Sequence, residues 1–131
     1  MSFASDMAKF AENAGKSLEA TYQGVALSLF TAIIKDTPVD TGRARGNWQA
    51  TIGTPARGVI DRSGDAGAIA EVTSESKNFE SGTVFYLTNS LPYIYGLEYG
   101  KSRVKAPEGM VRKNVARIQS IVAAEARKNR V

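Results

Sequence analysis

The chain has 131 residues, 17 Lys and Arg against 13 Asp and Glu, a net charge of +4, and neither cysteine nor histidine. That length suits one domain, which can bury roughly two-thirds of its unfolded surface without a disulfide or metal staple. The missing residue types exclude Cys–His and Ser–His nucleophiles, histidine-based zinc sites and a histidine proton shuttle, and the lack of cysteine suits a reducing compartment or a virus particle.

No stretch approaches the ~20 apolar residues of a membrane span; the longest candidate, Val25 to Ile34, is interrupted by Ser28 and Thr31. The N-terminus has no basic segment followed by an apolar run, so no signal peptide is expected. The charge is uneven. Residues 1–40 hold three bases and five acids, residues 41–65 four and two, residues 66–100 one and four, and residues 101–131 nine and two. The basic excess belongs to the last quarter, which could meet phosphate, an acidic protein surface or only water.

From Phe3 to Lys35, apolar residues recur in steps of three and four (Met7, Phe10, Ala14, Leu18, Tyr22, Val25, Leu29, Ile33), which predicts one helix of about 30 residues. Gly15 and Gly24 each cost roughly 1 kcal/mol against alanine in a helix, so one of them should mark a bend or a close contact. The second half is the more apolar and is predicted to be buried. The first turns are expected to be exposed or to lie on a neighbouring subunit. Thr37, before Pro38, ends the helix, and Asp40, Thr41 and Gly42 form a turn. Residues 43–53 read as a strand with Trp48, Ala50 and Ile52 on one face. The sole tryptophan is most simply a packing residue.

Residues 54–67 are a loop, long for a compact domain and therefore functional or mobile. Weak helical character follows from Ala66 to Phe79. The whole stretch 54–82 is expected to be a flexible loop or insert between strands. Thr83 to Thr88 predicts a strand apolar on both faces, hence central or covered on both sides. Asn89, Ser90 and Pro92 then open one or two helical turns ended by Gly100, with Tyr93, Tyr95, Tyr99 and Glu98 inside. A basic stretch, Lys101 to Lys105, leads to a helix from Glu108 to about Lys128, whose apolar stripe is Val111, Val115, Ile118, Val122 and Ala126. The class is α+β: a small, mostly antiparallel sheet packed by a long N-terminal helix and a C-terminal helix, as a single domain over residues 1–131.

The residues argue against catalysis. Asp36, Asp40 and Glu98 have no spacing that asks for a carboxylate site, and Gly58 and Gly64 lack a phosphate-loop pattern after a strand. No enzyme activity, cofactor or metal site is expected. A nucleic-acid reading has more substance. Lys101, Arg103, Lys105, Arg112, Lys113 and Arg117 could neutralise phosphates, and Tyr93, Tyr95 and Tyr99 could stack on bases. The same tyrosines also fit a helix anchored in a core or interface.

Three motifs carry a resemblance: Asp36-Thr-Pro-Val-Asp-Thr-Gly-Arg-Ala-Arg-Gly-Asn-Trp48, Thr88-Asn-Ser-Leu-Pro-Tyr-Ile-Tyr-Gly-Leu-Glu-Tyr-Gly-Lys-Ser102, and Lys105-Ala-Pro-Glu-Gly-Met-Val111. In this order, between two helices, they resemble the tail-completion (minor tail, head–tail joining) family of long-tailed bacteriophages and prophages. The family positions are Asp40, Gly42, Arg43, Trp48, Asn89, Pro92, Tyr93, Glu98, Gly100, Lys101 and Ser102. The resemblance implies a structural virion protein of the neck or head-proximal tail, assembled in the host cytoplasm. It implies a homo-oligomeric ring, six-fold to suit the tail tube, in contact with the tail terminator, tail tube and connector and close to genomic DNA. The assembly residues would be Arg43, Arg45, Trp48, Tyr93, Glu98, Tyr99, Lys101, Arg103 and Lys105. Glu98 is expected to pair with Arg43 or Arg45 within or between subunits, and acidic and basic faces would meet head to tail.

Overall fold

The computed structural model describes residues 3–39, 42–99 and 109–129. Their elements run α1 (Phe3–Asp36), α2 (Arg43–Gly46), β1 (Gln49–Ile52), α3 (Ala66–Ser76), β2 (Phe85–Thr88), α4 (Ile94–Tyr99), α5 (Met110–Val115) and α6 (Ile118–Lys128). The fold is α+β. β1 and β2 pair antiparallel, with Gln49 opposite Thr88 and Ile52 opposite Phe85. α1 packs against α3, α5 and α6, and α3 also packs on β1. The core is Ile33, Ile34, Trp48, Ala50, Ala68, Val72 and Met110. Among the described residues no helix is long and apolar enough to cross a membrane.

α1 is the single long helix that its period predicts. Residues 4–13 are exposed, while the second half carries the buried Ala26, Ile33 and Ile34. Gly24 is the close contact. A Cβ there would lie 2.3 Å from the Glu125 carboxylate, whereas one at Gly15 would meet nothing. The missing side chain lets α6 approach, and Ser28 donates to Glu125 at 3.2 Å.

The strand expected over residues 43–53 is shorter. It opens with the four-residue helix α2, and the ladder begins only at Gln49. Gly42, at φ 79°, turns the chain into that helix. The Asn47 side-chain amide donates back to the Arg43 carbonyl at 3.0 Å, closing the turn. Alternation could not predict this, because Ala44, Gly46, Asn47 and Trp48 are all buried and follow no period of two.

Residues 54–82 are not a peripheral insert. The loop before α3 is tied down: Asn47 Oδ1 accepts from the Ile60 amide at 2.8 Å, and Arg62 donates to the carbonyls of Gly46 and Trp48. α3 then supplies Ala68 and Val72, both fully buried. β2 is also not central, since among the described residues its one partner is β1.

The C-terminal helix divides at Ala116–Arg117, where the Arg117 amide bonds the Asn114 carbonyl three residues back. Its inner face is also rotated from the expected one. Met110, Asn114 and Glu125 are buried, while Val115 and Val122 are 48% and 41% exposed. Val111 of the expected stripe packs on the core, but Asn114 and Glu125 also face in because α1 offers them partners, Asp36 for Asn114 and Ser28 for Glu125. Hydrophobic periodicity presumes an apolar neighbour, and here the neighbour is partly polar.

Gly46 is the tightest point of the α2 region. A Cβ on it would sit 2.0 Å from the Arg62 carbonyl oxygen and 2.5 Å from its carbon. Backbone cannot swing aside as a side chain can, so Gly46→Ala should destabilise the fold by about 3 kcal/mol, with urea unfolding as the measure.

Candidate functional site

The motif residues meet at the end of α1 and around α4 and α5. Thr37 is fully buried, and each of its polar atoms is used. Its hydroxyl donates to the Ile33 carbonyl at 2.7 Å and accepts from Trp48 Nε1 at 2.9 Å. Its carbonyl accepts from Arg45 Nε at 2.7 Å. Arg45 reaches the Lys35 carbonyl as well and pairs with Asp65 at 3.5 Å. Its guanidinium therefore caps the carbonyl end of α1, where the macrodipole favours a cation. Asn89 joins the second motif to the first: its side-chain amide donates to the Ala44 carbonyl at 2.9 Å, and its Oδ1 takes the Leu91 amide at 3.1 Å.

Glu98 is the buried acid of the site, 7% exposed. Its carboxylate faces the start of α5 and accepts the backbone amides of Val111 at 2.8 Å and Arg112 at 3.0 Å. Arg112 Nε adds a charged bond at 2.9 Å, and its other arm reaches the Glu98 carbonyl. A carboxylate at a helix start satisfies amides that have no partner inside the helix. Gly109, at φ 76°, makes this approach possible, since a Cβ there would lie 2.3 Å from Glu98 Oε2. The Arg112 guanidinium also lies 4.5 Å from the centre of the Tyr99 ring, and Tyr95 and Tyr99 pair at 4.5 Å.

The expected pairing of Glu98 with Arg43 or Arg45 is therefore corrected within the chain. Glu98 takes Arg112, and Arg45 takes Asp65 and the end of α1. The spacing could not show this, because Arg112 is 14 residues from Glu98 and is delivered by α5. For the tyrosines, only the anchor in a core is overturned. Tyr93, Tyr95 and Tyr99 are 43%, 71% and 54% exposed, so the stretch buries Leu91 and Glu98 and displays its rings. Trp48 is core, as its packing reading expects, and at 6% exposure its side chain is not displayed for the assembly role that the resemblance implies. Arg43 and Tyr93 share a cleft of about 610 Å³ with Pro38, Asp61, Arg62 and Leu97. Lys101, Arg103 and Lys105, with Asp40, Gly100 and Ser102, lie outside the described residues.

Sequence reasoning missed Arg112, Gly109, Arg62 and Asn47 as the partners that hold the motifs together. The one available signal was the long loop carrying Arg62. Two of the bases set aside for phosphate are engaged by acids: Arg112 by Glu98, and Lys113 by Asp36 at 3.2 Å. Among the described residues no group of three acids could hold a metal ion.

Asp36 closes the site at the far side. Burial pushes its pKa up, but hydrogen bonds from Asn114 and Lys113 and the charges of Lys113 and Arg117 outweigh this and hold it below the ordinary aspartate value. No protein-family model, curated protein or solved structure matches this chain.

Two outcomes follow from these contacts. Glu98→Gln should cost about 2 kcal/mol, and in urea unfolding it should couple with Arg112→Gln while adding independently to Arg45→Gln. A depressed folded pKa places the Asp36 contribution above the unfolded value and removes it as pH falls through the folded one. The stability gap between the native chain and Asp36→Asn should be at most about 1 kcal/mol, level from pH 7 to about pH 5, and close below about pH 4.

Proposed function

We propose that the chain is a structural virion protein of the neck or head-proximal tail of a long-tailed bacteriophage, where it forms a ring that completes the tail and helps join it to the head. The observation that carries the reading is how the motif residues are used. Arg45, Asn47, Asn89 and Glu98 hold backbone atoms of other elements, and the Thr37 hydroxyl takes the Trp48 ring N–H. Their side chains are committed to architecture rather than aimed together at a space where a substrate could react. A motif that builds a frame and displays aromatic rings is what a stacking ring component needs.

The motif order supports the same reading, and so does the surface. Tyr93, Tyr95 and Tyr99 lie outward on α4, and tyrosine is enriched where protein surfaces meet. The rival reading, a nucleic-acid-binding domain built on the basic residues 101–117, loses Arg112 and Lys113 to ion pairs with Glu98 and Asp36. A cation paired with a carboxylate releases fewer counterions on meeting a phosphate.

Deleting the gene from its phage should leave full heads and finished tails unjoined under the electron microscope, and supplying the chain in trans should restore joined particles. Normal particles from the deletion would refute the assignment. The rival reading expects instead that the purified chain retards DNA with a steep loss of binding between low and physiological salt.

A further inference from the structure

The first half of α1 carries an apolar stripe that the described residues leave uncovered. Met7, Phe10, Leu18 and Tyr22 are 53%, 62%, 56% and 44% exposed. At 100° per residue these four and Ala14 fall within about 120° of one another, a width typical of a face that packs. Lys9, Glu12 and Lys16 lie on the opposite side, and Glu12 and Lys16 pair in solvent at 3.1 Å. At 1.5 Å per residue, residues 3–18 make an arm of about 24 Å.

The same stripe runs on into a groove. Tyr22, Val25, Leu29, Phe30, Phe85 and Val122 line an apolar hollow of about 290 Å³. Phe85 meets Phe30 edge-on at 4.9 Å and Phe79 at 5.4 Å at its base. One chain thus presents a projecting apolar helix and a recessed apolar groove.

We infer that the α1 arm of one copy of this chain lies in the groove of a second copy. Three arguments lead to that occupant. A helix gains most of its stability from packing an amphipathic face, and Gly15 weakens this one by ~1 kcal/mol, so the exposed arm is stabilised by a surface to lie on. The four exposed side chains leave on the order of 400 Å² of apolar area. Where two copies exchange arms, each also contributes its groove toward the ~800 Å² per partner of a stable interface. Third, Asp6, Lys9, Glu12, Lys16 and Glu19 sum to −1, which suits a protein surface better than the anionic face of a membrane. The inference takes from the ring reading only that copies of this chain associate, and it names the segment that joins them.

The lack of native cysteine makes the test clean. Phe10→Cys, Val122→Cys and the double variant are treated with a short thiol-to-thiol cross-linker. The double variant, or a mixture of the two single ones, should give covalent oligomers that neither single variant gives alone. Phe10→Asp should reduce the mass seen by light scattering to that of a monomer, while circular dichroism shows the body still folded. A ladder of products marks arms passed serially around a ring. Products that stop at two mark a reciprocal pair, which supports the arm contact and counts against the ring. Oligomers that do not cross-link and survive Phe10→Asp overturn the arm contact but leave the ring reading standing. A native chain that is monomeric at about 200 µM, together with a double variant that gives no cross-linked oligomer, overturns the arm contact, as does binding of the arm to lipid vesicles or to another virion protein instead. The phage deletion above decides the neck assignment separately.

Discussion

Thr37 stands where α1 stops, and its amide, hydroxyl and carbonyl bind Ile34, Ile33, Trp48 and Arg45. This junction matters because the sheet is small. Two strands of four residues cannot stand alone in water. They are held by what they are tied to, and the tie is Trp48, which enters the core while its ring N–H bonds the last turn of α1. Removing Thr37 from this arrangement would strand a buried indole donor, a group that is costly to leave unpaired. The helix end, the short helix α2 and the sheet therefore behave as one unit.

A second buried polar junction repeats the logic on the other side of the cleft. Glu98 closes α4 onto α5 through two backbone amides and Arg112. Gly109 and Gly46 mark the two places where backbone or carboxylate approaches too closely for a side chain. Both junctions use side chains in place of a wide sheet ladder. That is how a domain with so few strand residues keeps its connections in register, and it explains why the motif residues are polar yet not arranged for a reaction.

The surface left over has a different character. The rings of α4 and the stripe on α1 are apolar and exposed, while Arg45, Arg62, Arg112 and Lys113 form ion pairs.

By itself the sequence determined the long first helix, its buried second half, the helical character of α3, a small antiparallel sheet and the packing role of Trp48. These follow from local causes: periodicity, proline and glycine punctuation, and β-branched or aromatic runs. Only the tertiary structure decided that residues 43–46 are helical, that Asn114 and Glu125 are buried while Val115 is exposed, and that Glu98 belongs to Arg112. Each of those outcomes depends on a partner far along the chain, such as the Arg62 backbone against Gly46, Asp36 and Ser28 against the last helices, or α5 against α4. Which face a helix buries is set by what its neighbour offers, and a polar neighbour reverses the pattern that hydrophobic spacing alone would predict.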